Sequence, residues 1–190
     1  MEFYSPDKGH IYVDGAELQN FEVQEIRKAV VYVSQEDFLF TASVRENLKM
    51  GNEEISDEEM IEISRKMGVH QFVSKMERAY DSVLEERGKN LSKGQRQKLS
   101  LTRAILRHPK ILILDEATSN MDSISEREIL NYIKGIRDIT LILISHRINV
   151  IADSDCIYVL QKGNIVARGT DKQLKEQCKL YRQLYGEEEK

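Results

Sequence analysis

The chain is poor in cysteine: Cys156 and Cys178 are the only two in 190 residues, and they lack C-x-x-C spacing. Reduced thiols in a cytosolic protein are therefore expected. An excess of basic residues is also missing. Lys and Arg number 28 against 32 Asp and Glu, and the net charge of −4 gives no electrostatic case for nucleic acid as a partner. No apolar run approaches the roughly 20 residues that span a bilayer. The first residues carry no signal-peptide pattern, so any membrane anchor is expected from another segment or another chain. Internal repeats and low-complexity linkers are absent too. What remains is ordinary for a globular protein, with 41% hydrophobic and 32% charged residues. The length suits one full domain, or one compact domain with a subdomain, around a sizeable core.

The most informative stretch is residues 90–116. Ser92 and Gln95 have the S-x-x-Q spacing of a capping box, in which each side chain satisfies a backbone amide of the first helical turn. From Arg96 to Arg107, Leu99, Leu101, Ala104 and Ile105 recur at helical steps, and Pro109 forbids continuation. A helix that starts on a glycine-containing turn presents free N–H groups and a positive dipole end, which is an anion site. The apolar run Ile111–Leu114 is too short for a helix and suits a buried parallel strand. It ends in Asp115 and Glu116, at the strand end where α/β sheets bind ligands.

The rest of the chain alternates in the same way. Residues 5–15 read as a turn, a short strand and a second turn, and 18–28 as a short helix. Ala29–Val33 is a second buried strand, leading into Ser34-Gln35-Glu36-Asp37. Residues 43–78 turn helical. Ser43/Glu46 and Ser56/Glu59 have capping-box spacing, Gly51 and Gly68 stand at C-cap positions, and Met60, Ile63 and Met67 form an apolar face. The methionines read as core filler. Ser123 and Glu126 are expected to cap a helix striped with Ile129, Leu130, Ile133 and Ile136. Thr140–Ile144 reads as a third parallel strand, ending at Ser145-His146-Arg147. A hairpin turning at Gly163-Asn164, one amphipathic helix over 171–185 and a frayed tail over 186–190 complete the chain.

Taken together these stretches resemble the ATP-binding domain of ABC transporters over about residues 4–185. Leu91-Ser92-Lys93-Gly94-Gln95 is similar to the L-S-G-G-Q signature, with Lys93 in place of a glycine. Ile111–Glu116 resembles the Walker B strand, Gln35 the Q-loop residue, Met121-Asp122 the end of the D-loop, and His146 the switch histidine. Glu86-Arg87-Gly88 resembles the E-R-G segment of the exporter class. The resemblance implies an α/β fold with a P-loop NTPase-like (RecA-type) parallel sheet core and an inserted helical subdomain. It divides the chain into core strands up to the Q-loop (1–35), helical subdomain with signature (36–95), and Walker B through the C-terminal hairpin and helix (96–186). It implies an ATPase using ATP and Mg2+, with Glu116, His146 and Gln35 catalytic. Asp115 and Gln35 would serve the metal, while Ser92, Lys93, Gly94, Gln95 and Asp122 would serve the nucleotide of a partner. The implied partners are a second nucleotide-binding domain, head to tail, and an exporter's transmembrane domain, at the cytoplasmic face of the membrane.

No G-x-x-x-x-G-K-[ST] occurs in the 190 residues. In the family this loop lies upstream of a segment like Tyr4-Ser5-Pro6, so the chain is expected to start after it, without the N-terminal β-subdomain and the P-loop strand. Losing three or four charge-assisted hydrogen bonds, roughly 1.5–3 kcal/mol each, would lower affinity by more than about three decades. Weak or no ATP binding by the isolated chain is expected. Leu141–Ile144 should then be an open apolar edge, which favours self-association or a rearranged fold. Two other readings are a non-enzymatic fragment that only supplies a signature half-site, and a soluble ABC ATPase of DNA repair or translation. The latter would be expected to show a coiled-coil insertion, a second cassette or a basic surface, and none appears.

Overall fold

The computed structural model describes residues 6–36 and 38–188, with side chains through 184. Tyr4, Ser5 and Asp37, which entered the motif reading above, lie outside the described residues. The chain divides into two compact units, Met1–Ile142 and Leu143–Lys190.

The first unit opens with a small hairpin, β1 (Tyr12–Val13) and β2 (Ala16–Glu17), turned by Asp14 and Gly15. A 3-10 turn at Leu18–Asn20 and helix α1 (Val23–Ala29) lead into strand β3 (Val30–Val33). This strand pairs in parallel with β4 (Ile111–Asp115), Val33 lying opposite Leu114. β5 (Thr140–Ile144) completes a sheet ordered β3-β4-β5. Lys110 sets the register at the lower end: its N–H donates to the Ala29 carbonyl and its own carbonyl accepts from Thr140 N–H, each at 2.8 Å. Leu112 and Leu114 are buried, whereas Ile142 and Ile144 of β5 are 44% and 48% exposed. Among the described residues β5 stands at the end of this strand order.

Between β3 and β4 the chain becomes helical: α2 (Val44–Lys49), α3 (Asp57–Lys66), α4 (His70–Val73) and α5 (Lys93–Leu106). Ser43/Glu46 forms the reciprocal capping box, while Ser56 caps α3 without a return bond from Glu59. Gly51 and Gly68 follow their helices at φ +86° and +70°, the left-handed conformation that a helix exit requires. Met60, Met67, Val69 and Val73 are buried in the core of this layer. Asn47 is fully buried and is satisfied by bonds to both the N–H and C=O of Phe40 and to the Ser43 carbonyl, at 2.9–3.0 Å. It pins the turn ahead of α2. Arg45 joins Asp57 and Asp81, and Lys49 also reaches Asp57.

Helix α5 packs on α2, α3 and β3, and its Leu99, Leu101 and Leu106 are fully buried. After β4 comes α6 (Ser123–Lys134), with Ile129, Leu130 and Ile133 inward as expected, whereas Ile136 of the expected stripe lies past the helix end at Gly135 and is half-buried. Its cap differs from the expectation. Asp122, not Ser123, is the N-cap and accepts from Ser125 N–H at 2.9 Å, while Glu126 is buried at 3% exposure. A carboxylate at the N-cap meets the same unpaired amides as serine and adds charge favourable to the helix dipole.

In the second unit, α7 (Ile148–Ile151) is followed by the hairpin of β6 (Ile157–Gln161) and β7 (Asn164–Gly169). Its turn is Lys162-Gly163, both at positive φ, rather than Gly163-Asn164, because Asn164 already pairs with Gln161. The expected single C-terminal helix is two, α8 (Asp171–Gln177) and α9 (Lys179–Glu188), separated at Cys178, which adopts an extended backbone. The tail expected to fray over 186–190 therefore continues α9 to Glu188. Ile148, Ile157, Val159, Leu174, Cys178 and Tyr181 form the core of this unit, and Tyr181 donates to Asp171 at 2.8 Å. Both cysteines are free thiols.

Candidate functional site

Two groups of the expected site residues are assembled within the first unit. The first lies around the start of α5. Ser92 Oγ accepts from Gln95 N–H at 3.2 Å, and Gln95 Oε1 accepts from Ser92 N–H at 2.9 Å, so the capping box is complete. The box lies in the wall of a cleft of about 550 Å³ lined by Ser92, Lys93, Gly94 and Gln95, by Asn120, Met121 and Asp122, and by Gly68, Gln71, Phe72, Lys75 and Lys98. Lys93 stands at the first position of the helix, outside the set of positive-φ residues, so the backbone freedom of glycine is not used there. Lys75, Lys93 and Lys98 add cationic side chains to a helix N-terminus, an arrangement suited to a polyanionic ligand. Lys98 Nζ also donates to Ser125 Oγ at 2.8 Å. Two hydrogen bonds from Ser125 hold the Asp122 carboxyl below its usual range, so it is ionised.

The second group is at the carboxyl ends of β3 and β4. Their parallel pairing puts Gln35 and Glu116 beyond the same end of the sheet, each two residues past the Val33–Leu114 pair. Gln35 is exposed, and Asp115 and Glu116 are half-buried. Glu116 has φ +50°, a strained conformation for a non-glycine residue of the kind found at functional sites. Tyr32 donates its hydroxyl to Asp115 Oδ2 at 2.8 Å. This bond, with burial and the carboxylate charge, raises the Tyr32 phenol above its usual range. Among the described residues no three His, Cys, Asp or Glu side chains form a metal cage. Mg2+ does not need one, since it commonly binds through one or two carboxylates and takes its other ligands from phosphates and water. Asp115 matches that donor type. His146 belongs to the second unit, where it is exposed beside the Ser145–Arg147 turn.

Sequence reasoning missed several neighbours of the site. Tyr32 reads as an ordinary strand residue, and no pattern in the sequence singles out Gln97. Gln97 is in fact fully buried. Helix α5 also ties down two neighbouring segments. Arg103 donates to the Phe38 carbonyl at 2.8 Å, and Arg96 donates to the Leu91 carbonyl at 2.8 Å and to the Gly88 carbonyl at 3.4 Å.

The sequence pattern of the ABC transporter family matches residues 1–119, and the chain belongs to this family. It is 43% identical over 176 residues to the heterocyst differentiation ATP-binding protein HepA of Nostoc sp., covering 92% of this chain and 29% of that one. It is 40% identical over 190 residues to the leptomycin B resistance protein pmd1 of Schizosaccharomyces pombe, covering 98% of this chain and 14% of the relative. The fold matches the structure of a bacterial Atm1-family ABC exporter with ATP bound, at TM-score 0.93 and 30% identity, over 98% of this chain and 33% of that one. The chain thus spans about a third or less of each of these proteins. The α/β fold with a parallel sheet core agrees with that expected from the motifs.

Proposed function

We propose that this chain is part of the ATP-binding and ATP-hydrolysing domain of an ABC exporter, coupling hydrolysis to transport across a membrane. The observation that carries this reading is the cleft at the start of α5, where the complete Ser92–Gln95 capping box, Lys93, Gly94 and Asp122 face one cavity. In this reading Ser92, Lys93, Gly94 and Gln95 take the phosphates of ATP held by the P-loop of a second domain, head to tail, and Asp122 links the two sites. Asp115 would hold Mg2+, which would supply neutralisation of phosphate charge there. Glu116 accepts the proton of the attacking water, a role worth about 10²–10⁴-fold in rate. Gln35 would contact the γ-phosphate and the metal, and for His146, in the second unit, a γ-phosphate contact is implied by the family resemblance alone. The segments 1–35, 36–95 and 96–186 correspond to core strands, helical subdomain with signature, and catalytic half.

The transmembrane partner would dock on the apolar surface of the helical layer. Phe38 and Val83 are 56% and 62% exposed, and Phe38 stacks edge-on with Phe40 at 4.8 Å. No helix among the described residues is long and apolar enough to cross a membrane. The domain would sit at the cytoplasmic face of the membrane. In the absence of a partner, the exposed β5 edge would self-associate.

The test is Glu116→Gln in a polypeptide that supplies a P-loop strand ahead of these residues. ATP should still bind while hydrolysis stops; continued turnover would remove Glu116 from its role. A second reading is a non-hydrolysing half-site that only completes another cassette's nucleotide site. It is supported by the same cleft, which is lined by residues 68–122 alone. ATP turnover that appears only on mixing with a P-loop-bearing cassette, and that survives Glu116→Gln, would favour it.

A further inference from the structure

Gln97 is a polar side chain with no exposure to solvent, two residues beyond the capping box of α5. Its Oε1 accepts from Asn120 N–H at 3.0 Å, and its Nε2 lies 3.5 Å from Ser119 Oγ. It therefore reaches 23 residues along the chain, into the turn between β4 and α6 that ends at Asp122. The same turn is held one helical turn earlier: a methyl group on Gly94 would stand 3.0 Å from the Asn120 carbonyl oxygen, so helix and turn are in contact there. Further along, Lys98 Nζ reaches Ser125 Oγ. Three successive positions on one side of α5, namely 94, 97 and 98, thus grip residues 119–125.

We propose that Gln97 is a positioning residue that fastens the Ser119–Asp122 turn to the start of α5, so that the phosphate-facing helix end and the Asp122 carboxylate move as one body. A buried amide of this kind is costly unless both of its ends are bonded. Here its bonds go to the turn beside the cleft, not to the core. The inference rests on the nucleotide reading of that cleft for its functional consequence, but the mechanical link stands apart from it.

The experiment separates the two. In the 190-residue chain, amide hydrogen exchange is measured for wild type, Gln97→Leu and Gln97→Glu. The leucine variant removes both partners, whereas the glutamate variant keeps an oxygen for Asn120 N–H. Asn120 exchange should rise about tenfold or more in Gln97→Leu and return to within about threefold of wild type in Gln97→Glu. Unchanged Asn120 exchange in Gln97→Leu would overturn the proposal. Should that variant fail to fold, Gly94→Ala pushes the same turn from the other contact and favours helix. It should shift the amide signals of residues 119–122, and unchanged signals would equally overturn the link. ATP turnover is then measured with a P-loop-bearing ABC cassette. Gln97→Leu should lower kcat about tenfold with KM within about twofold, and Gln97→Glu should restore it; equal kcat in all three proteins contradicts a positioning role. Absence of turnover in the wild-type mixture would count against the nucleotide reading alone, because the exchange result decides the link.

Discussion

Tyr32 and Asp115, 83 residues apart in sequence, are joined across the β3–β4 pair by a 2.8 Å hydrogen bond from the phenol to the carboxylate. The bond occupies one oxygen of Asp115 and leaves the other for a ligand. Tyr32→Phe should cost about 0.5–1 kcal/mol at neutral pH, below the range for a buried charged acceptor because the site is partly exposed. The bond and the neighbouring charge raise the Tyr32 phenol. A group raised in the folded state contributes fully below its unfolded value, about 10, and loses that contribution as pH rises through the folded value. The gap between wild type and Tyr32→Phe in urea unfolding should therefore be constant at neutral pH and shrink in strong alkali. A gap that widens there would contradict the pairing.

Asn47 is the buried staple of the segment that follows the Gln35 loop, bonded to Phe40 on both sides of the peptide and to Ser43. Asn47→Ala strands those groups in a buried site, so a loss of about 2–3 kcal/mol is expected in denaturant unfolding. Asn47→Asp keeps the acceptor for Phe40 N–H but sets a carboxylate against the Phe40 and Ser43 carbonyls, and should be at least as damaging. A cost under about 0.5 kcal/mol for either would mean the turn is held otherwise.

Gly88 has φ +65°, and a methyl group there would stand 2.9 Å from Leu39 Cδ1 and 3.1 Å from Arg96 Cδ. Leu39 is buried at 2% exposure, so it has little room to move. Gly88→Ala should cost at least about 1–2 kcal/mol, combining backbone strain with displaced packing. Thermal unfolding checks this; an unchanged midpoint would show that the Glu86–Gly88 turn relaxes freely.

The parts of this architecture readable in the sequence are those made by near neighbours. Ser92/Gln95 is such a part, because both residues lie within one helical turn and no other partner competes. The cap of α6 shows where the same rule becomes ambiguous. Ser123/Glu126 fits the spacing as well as Asp122/Ser125 does, and the folded chain uses Asp122, with Glu126 buried. At Cys178 neither proline nor glycine signals the break between α8 and α9, and the apolar period runs on through it. The Tyr32–Asp115 and Gln97–Asn120 bonds span 83 and 23 residues and leave no local pattern. Only the folded sheet and the packed helix bring those groups together.

In the proposed reading Lys93 stands at the signature position where the family pattern has glycine, and it adds charge without backbone strain. Lys93→Gly should weaken binding of ATP at the composite site about 3–10-fold at low salt, with the difference fading as ionic strength rises. Titration at two salt concentrations reads this directly. Tighter binding by the glycine variant would show that the lysine obstructs the phosphate.

The most direct measurement is calorimetric titration of Mg-ATP into the 190-residue chain alone, into a P-loop-bearing ABC cassette made hydrolysis-deficient, and into their equimolar mixture. Little or no heat is expected for the chain alone, with at least about tenfold tighter binding in the mixture than in the cassette by itself. Ser92→Arg, which fills the cleft, should abolish that gain. Micromolar binding by the chain alone, or equal affinities for cassette and mixture, would contradict a signature half-site that completes a partner's nucleotide site.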